Sequence, residues 1–222
     1  MLEKIKGKLV VSCQALADEP LHSSFIMGRM ALAAKQGGAA GIRAQSKEDI
    51  DEIIRVTGLP VIGIVKRNYA DSEIYITPTK KEIEELLETE CEMIALDATL
   101  RRRPNGEQLE DLFRYAKDHG RLVMADCSTY DEAVNAEKIG FDCVSTTLCG
   151  YTPYSENLPG PNLPFIKKLS ADLHIPVLAE GKINTPEDLK AVFKSGAYSA
   201  IVGGAITRPQ NITAKFTEVL LH

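Results

Sequence analysis

Residues 60–66, Pro-Val-Ile-Gly-Ile-Val-Lys, form a run that is apolar and mostly β-branched until it ends in a lysine. A run this short and this uniformly apolar is typical of a strand that is covered on both faces, as in a parallel sheet. Seven further runs of the same kind occur, at residues 8–13, 39–43, 92–97, 121–126, 141–147, 176–180 and 199–204. The sequence therefore predicts eight buried parallel strands.

Segments with helical spacing separate these runs. Apolar residues recur at i, i+3 and i+4 in four places: Ile50/Ile53/Ile54, Ile83/Leu86/Leu87, Leu109/Leu112/Phe113 and Leu189/Val192/Phe193. Four of the helices are preceded by residues that are favoured at the helix N-cap: Ser46, Thr79, Thr129 and Thr185;. Strict alternation of strand and helix, eight times over, favours an α/β fold of the closed (β/α)8 TIM-barrel type over an open sheet. We expect one catalytic barrel domain over residues 1–222, with a long, functional loop at residues 148–164.

The composition narrows the function classes. The chain has 222 residues, 44% of them hydrophobic, and a formal net charge of −5. This hydrophobic fraction argues against disorder, and mild acidity with 6% aromatics and no Trp argues against nucleic-acid binding;. No apolar run approaches the roughly 18 residues of a membrane span, and the five scattered cysteines form no CxxC pair;. We therefore expect a cytoplasmic protein with no nucleic-acid or membrane partner.

Polar residues or glycines end each predicted strand. In (β/α)8 barrels the carboxyl ends of the strands meet at one face, and active sites form there. Those ends are Gln14, Arg43, Lys66 with Arg67, Asp97, Asp126, Thr146 with Thr147, Glu180, and Gly203 with Gly204. The pattern predicts that these groups surround one site.

The ends of strands seven and eight predict an anion site. Gly181 and Lys182 follow strand seven, and the pair Gly203–Gly204 follows strand eight. Glycines there let backbone N–H groups approach a phosphate, and a short helix after strand eight would aim its N-terminus at it. Arg208 would add a charged clamp. The alternative is that the glycine pair only makes a tight turn.

Lys66 is the candidate catalytic group. At the rim of an apolar pocket, with Arg43 and Arg67 expected as neighbours, desolvation and positive charge both disfavour its ammonium form. The resulting amine would serve as a base or as a Schiff-base nucleophile. Glu180 and Asp126 would act as acid/base groups, orient the lysine or bind hydroxyls; the alternatives are a solvated lysine and static salt bridges.

The sequence also argues against metals and nucleotide cofactors. The four histidines, His22, His119, His174 and His222, are far apart and lie off the strand ends. A metal-dependent barrel epimerase would need His and Asp at those ends. Neither a Walker loop nor a strand-coupled GxGxxG is present;. We expect no metal and no cofactor.

The strand-end motifs resemble the bacterial N-acetylmannosamine-6-phosphate 2-epimerase family, over nearly the whole chain. The motifs are VSCQA (11–15), GIRA (41–44), PVIGIVKR (60–67), ITPT (76–79), ALDAT (95–99), MAD (124–126), STTLCGYT (145–152), AEGKINTP (179–186) and VGGAITRP (202–209). Cys149 stands within the seventh motif, between Leu148 and Gly150.

The resemblance implies an isomerase that interconverts N-acetylmannosamine 6-phosphate and N-acetylglucosamine 6-phosphate in amino-sugar and sialic acid catabolism. The open-chain sugar would lose its C2 proton to give an enolate, and reprotonation on the other face would invert C2. By resemblance, Lys66 carries the proton transfer, with Arg43, Asp126 and Glu180 around it. Gln14 would hold the N-acetyl group or the oxygen at C1.

Two other functions stay open, together with the oligomeric state. One is a Schiff-base aldolase or lyase that uses Lys66 on a phosphorylated sugar, and the other is a sugar-phosphate-binding barrel without catalysis. The final segment, 211–221, has an apolar face that would close the barrel or pack on a partner subunit. The resemblance favours a homodimer.

Overall fold

The computed structural model describes residues 1–220 and contains a closed barrel of parallel strands in the order of the sequence. The strands are β1 (Leu9–Cys13), β2 (Gly41–Gln45), β3 (Val61–Ile64), β4 (Met93–Asp97), β5 (Leu122–Asp126), β6 (Cys143–Ser145), β7 (Val177–Glu180) and β8 (Ser199–Val202). Strand β8 pairs with β1 and closes the barrel. The predicted (β/α)8 architecture is confirmed. Leu221 and His222, the end of the predicted domain and of its final apolar segment, lie outside the described residues.

All helices but the first follow a strand, and most of them cover the outside of the barrel. They are α1 (Leu2–Ile5), α2 (Ser24–Gln36), α3 (Lys47–Thr57), α4 (Lys80–Leu87), α5 (Leu109–Asp118), α6 (Tyr130–Ile139), α7 (Leu163–Asp172), α8 (Pro186–Lys194), α9 (Gly204–Thr207) and α10 (Pro209–Glu218). Thr79, Thr129 and Thr185 each form a reciprocal capping box with the acidic side chain three residues later. These boxes begin α4, α6 and α8 where the sequence predicts them, because each satisfies two backbone N–H groups of a helix end.

The inside of the barrel has an apolar lower layer and a polar upper layer. Met93, Met124 and Leu178 lie in one buried cluster, and Ile5 of α1 packs into the same cluster from the amino-terminal end. Side chains of a strand alternate between its two faces. Asp126 and Glu180, each two residues beyond an inward apolar residue, therefore also face the barrel axis. The alternation places charged groups above a dry floor.

The strand boundaries differ from the prediction at two site residues. Strand β2 continues to Gln45, so Arg43 lies within it and not at its end. Strand β3 ends at Ile64, and Lys66 follows it in an isolated antiparallel bridge to Ile76. The Thr77 N–H donates to Val65 O at 2.8 Å, which holds residues 65–79 folded back beside the barrel mouth.

The predicted long loop lies between β6 and α7, over residues 146–162, and we call it the roof loop. Two side chains tie it to the barrel. The hydroxyl of Tyr154 donates to Glu132 Oε1 at 2.8 Å, and the ammonium of Lys182 donates to Leu158 O at 2.6 Å and to Asn157 Oδ1. The loop therefore has a fixed position at the mouth of the barrel.

Within residues 1–220, no helix is both long enough and apolar enough to cross a bilayer. This agrees with the absence of a long apolar run in the sequence.

Gly63 generates a prediction about stability. A Cβ there would lie 3.0 Å from Cys91 Sγ, 3.0 Å from Leu86 Cδ2 and 3.1 Å from Ile50 Cδ1, because α3 and α4 pack directly onto β3. Gly63→Ala should lower the free energy of unfolding by about 1–3 kcal/mol through overpacking. Urea denaturation measures this. The matched control is Gly160→Ala, where no atom lies within 4 Å of the added carbon. Equal stability of the two variants would contradict the close packing.

Candidate active site

A cavity of about 390 Å³ opens at the carboxyl ends of the strands. It brings together nine of the ten residues that the sequence predicts for the site: Gln14, Arg43, Lys66, Glu180, Gly181, Lys182, Gly203, Gly204 and Arg208. The tenth, Asp126, is fully buried beneath the cavity and does not border it. The site residues thus form a surface layer and at least one supporting group below it.

Arg43 is the centre of a buried ion network. Its Nη1 and Nη2 donate to the two carboxylate oxygens of Asp126 at 2.9 and 2.5 Å, a bidentate pair. Nη1 also donates to Glu180 Oε2 at 2.6 Å and to Thr147 Oγ1 at 3.2 Å. The Thr147 hydroxyl lies 2.6 Å from Asp126 Oδ1 and 3.0 Å from Glu180 Oε2. One guanidinium therefore fixes two carboxylates that come from β5 and β7.

The burial of this network determines its protonation. The two carboxylates hold the pKa of Arg43 above its usual range, against the effect of burial. Burial raises the pKa of Glu180, and the neighbouring Asp126 raises it further, while Arg43 opposes both effects. Arg43 thus stays charged, and Glu180 is more easily protonated than an exposed glutamate.

Lys66 lies in the cavity beside this network. Burial lowers the pKa of its ammonium to about 8, and the positive charges of Arg43 and Arg208 add to the effect. Glu180 and Glu19 act in the opposite direction. Within residues 1–220 no hydrogen bond or ion pair involves Lys66 Nζ. Lys66 is therefore an amine that is partly unprotonated near neutral pH and available to a ligand.

Arg67, which the sequence predicts as a neighbour of Lys66, does not take that role. Its guanidinium pairs with Glu82 and with Glu85, the latter at 2.9 and 3.1 Å, on the outer side of the loop. The second cation that acts on Lys66 is instead Arg208. The prediction was wrong because consecutive residues of an extended segment point to opposite sides.

Asp97, the predicted end of strand four, also lies apart from the cavity. It is fully buried, accepts hydrogen bonds from the backbone and hydroxyl of Thr99 at 3.0 and 2.7 Å, and pairs with Arg101 at 2.8 Å. These contacts organise the loop after β4. Asp97 therefore has a structural role in the described structure.

The glycine turns and Arg208 form the other end of the cavity. Gly181 has a φ of +104°, a conformation that a residue with a side chain rarely adopts;. Gly203 precedes α9, and the guanidinium of Arg208 borders the same region. Arg208 is already paired: Nε and Nη2 donate to Glu19 at 2.5 and 3.0 Å. Glycine turns and an oriented guanidinium therefore line this part of the cavity.

Lys182 and Gln14 border the cavity, and each also has a partner within the protein. The Lys182 ammonium is directed to the roof loop, where it donates to Asn157 and Leu158. The Gln14 amide donates to Ser12 Oγ at 2.8 Å. Lys182 thus holds the loop that covers the site, and Gln14 keeps its carbonyl oxygen and one N–H for other partners.

Among the cavity-lining residues that sequence reasoning missed are Tyr75, Asn211, Ile212 and Lys215. Tyr75 reaches the site because residues 65–79 fold back on the barrel mouth. The other three come from α10, after the last strand. Neither Tyr75 nor the three residues of α10 end a strand, so the apolar pattern of the sequence does not predict that they reach the site. The motif at residues 76–79 was the one indication near Tyr75.

In residues 1–220 no group of three or more His, Cys, Asp and Glu side chains is arranged to hold a metal ion. The carboxylates of the site are committed to Arg43 and Thr147. The metal-free site stays a prediction for experiment.

The fold and the cavity define a (β/α)8-barrel protein whose one site contains a lysine together with a part lined by glycines and an arginine. A family profile described as "Putative N-acetylmannosamine-6-phosphate epimerase" matches residues 27–221. The chain belongs to this family of carbohydrate-phosphate epimerases. It is 66% identical, over 99% of both chains, to the "Putative N-acetylmannosamine-6-phosphate 2-epimerase" of Clostridioides difficile (strain 630).

Solved structures agree with this assignment. The N-acetylmannosamine-6-phosphate 2-epimerase from Clostridium perfringens superposes with a TM-score of 0.97 at 64% identity, covering 99% of this chain and 96% of that one. A thiamine phosphate pyrophosphorylase from Pyrococcus furiosus superposes with a TM-score of 0.61 at 20% identity, covering 100% of this chain and 99% of that one. The second likeness concerns the fold alone.

The setting of Lys66 generates a prediction about its titration. After reductive ¹³C-methylation, its NMR signal should titrate near pH 8, since burial and two cations disfavour the ammonium;. Lys66→Arg identifies the signal. Arg208→Gln should raise the midpoint, because it removes a positive neighbour. An exposed lysine has a pKa of about 10.4. A wild-type midpoint near that value would contradict the described setting.

Proposed function

We propose that this chain interconverts N-acetylmannosamine 6-phosphate and N-acetylglucosamine 6-phosphate in amino-sugar and sialic acid catabolism, as one catalytic domain over residues 1–222 and without a cofactor. The observation that carries the proposal is Lys66, which has a pKa of about 8 and no hydrogen bond or ion pair from its ammonium within residues 1–220. It lies in a cavity that Gly181, Gly203, Gly204 and Arg208 also line. The names of the close relatives support the substrate.

The phosphate would bind at Gly181, Gly203 and Gly204. Backbone N–H groups at the turns after β7 and β8 suit a phosphate, which such barrels commonly bind at this place. Arg208 would add charge-assisted hydrogen bonds. With the phosphate there, the sugar extends along the cavity toward Lys66 and Arg43, which line its other parts.

Lys66 would be the principal base. Opening of the sugar ring exposes the C1 carbonyl; the Lys66 amine then removes the C2 proton, and the electron pair moves to O1 to give an enolate. The ammonium that results returns a proton to the opposite face of C2, and the carbonyl forms again. A group with a pKa near the working pH is efficient at both steps.

Arg43, Gln14 and Glu180 would surround the reacting atoms. Arg43 and Gln14 carry N–H groups suited to the charge that develops on O1 or to the N-acetyl oxygen. Glu180, with its raised pKa, would donate and accept protons during ring opening and at hydroxyl groups. Asp126 would act through Arg43, since both of its carboxylate oxygens are bound to that guanidinium.

Substitution of Lys66 tests the assignment. Lys66→Ala should lower kcat by about 10²–10⁴-fold, the range for loss of a general base, while binding of the sugar phosphate stays measurable. Glu180→Gln should be impaired less. Proton NMR of N-acetylmannosamine 6-phosphate follows the reaction, with chelator present and absent; a rate unchanged by exhaustive EDTA is expected.

Trapping of a Lys66 adduct by borohydride would support the aldolase alternative, and tight binding with no turnover would support the binding-protein alternative.

The solvent isotope distinguishes one base from two. In deuterium oxide a single lysine base returns part of the original proton, because its ammonium carries it to the other face. Two separate bases would place deuterium at C2 of nearly every first-turnover product. Full deuteration, together with a Lys66→Ala variant that still exchanges the C2 proton, would move the base to Glu180.

We further propose a homodimer formed through α10. This helix buries none of its residues. Its Phe216 is 74% exposed, and Val219 and Leu220, which follow its end at Glu218, are 71% and 81% exposed. An apolar face of this kind marks an interaction surface in a protein that is otherwise charged.

A cytoplasmic location is supported by the five cysteines, all free thiols;.

Phe216→Asp tests the dimer. A charge at the centre of this face should weaken association, so that sedimentation shifts from twice the 24.3 kDa chain mass toward the single chain;. Lys168→Asp on the exposed face of α7 is a matched control for surface charge. A wild-type protein that sediments as one chain would refute the dimer.

A further inference from the structure

Glu19, in the loop between β1 and α2, holds the guanidinium of Arg208 by its side edge. Nε donates to Glu19 Oε1 at 2.5 Å and Nη2 to Oε2 at 3.0 Å. Glu19 Oε2 also accepts the backbone N–H of Leu16 at 2.8 Å, which fixes the carboxylate to its own turn. Glu19 and Arg208 are 18% and 32% exposed, so the pair is partly shielded from water.

The opposite edge of Arg208 faces the proposed phosphate end. A guanidinium has five N–H donors, and Glu19 uses two of them. Nη1 donates to no residue within 1–220, and it would lie 3.5 Å from a Cβ placed on Gly204, the first residue of α9. Arg208 borders the cavity, whereas Glu19 is absent from its described lining. The free edge is thus directed toward the glycine turn.

We propose that Glu19 is a positioning residue: it holds Arg208 by the Nε/Nη2 edge so that the Nη1/Nη2 edge is presented to the substrate phosphate. This inference rests on the proposed function. A guanidinium that is already oriented binds a phosphate in bidentate fashion with less loss of side-chain freedom. Glu19 itself touches no substrate.

Glu19 also affects the base. Four charged groups act on Lys66: Arg43 of β2, Arg208 after α9, Glu180 of β7 and Glu19 itself. The hydrogen bonds from Arg208 lower the pKa of Glu19 to about 2, so it is anionic at all working pH values. If a neutral residue replaced Glu19, the charge of Arg208 would act on Lys66 unopposed and lower the pKa of the lysine.

Glu19→Gln tests the proposal. KM for N-acetylmannosamine 6-phosphate should rise about tenfold, since the guanidinium loses its orientation, while kcat changes less than about twofold. The acid limb of the pH profile of kcat/KM should move to lower pH. Glu19→Asp keeps the charge and should leave that limb in place while KM rises. The matched control is Glu110→Gln, which breaks an exposed Glu–Arg pair on α5.

A double-mutant cycle separates positioning from a general effect. In the Arg208→Ala background, Glu19→Gln should have no further effect on KM. The affinity for inorganic phosphate, measured by calorimetry in the same variants, should follow the same pattern. A wild-type protein that binds phosphate without epimerising would refute the proposed function and leave this inference standing. An equal effect of Glu19→Gln with and without Arg208, or no effect on phosphate affinity, would overturn it.

Discussion

The site depends on one buried cation. Arg43 is 1% exposed and pairs with two carboxylates from different strands, one of them fully buried. Either carboxylate would be costly at this depth without a partner. Because Arg43 is also near Lys66, the charge that stabilises the barrel mouth lowers the proton affinity of the lysine. Fold stability and acid–base chemistry thus share one side chain.

The second organising constraint is the alternation of side chains along the strands. Apolar residues such as Met124 and Leu178 form the floor, and the next inward positions, Asp126 and Glu180, form the polar layer. A period of two therefore decides which residues reach the cavity. Arg67 and Asp97 are polar and close to strand ends, yet their contacts are with Glu82, Glu85, Thr99 and Arg101 outside the cavity.

The sequence predicts much of this arrangement, and the gaps have physical causes. The barrel and the capping boxes follow from local patterns: apolar runs, helical spacing and residues such as Thr129 and Thr185. Helix α2 was not identified although Met27, Met30 and Ala31 follow helical spacing, because apolar residues such as Phe25 also lie on its exposed side and weaken the contrast between its faces. The pairing of Glu19 with Arg208 joins residues 189 positions apart, and only the closed barrel brings them together.

Lys182 has a consequence for how the chain can vary. Its φ of +55° is a left-handed conformation, which glycine adopts without cost and which disfavours β-branched side chains;. Its ammonium holds the roof loop through Asn157 and Leu158. Glycine at this position would relax the backbone but release the loop, whereas valine or threonine would fail on both counts. The backbone at position 182 therefore favours glycine, whereas the contact with the roof loop requires a long cationic side chain. A redesign of this barrel must keep a long, unbranched cation there.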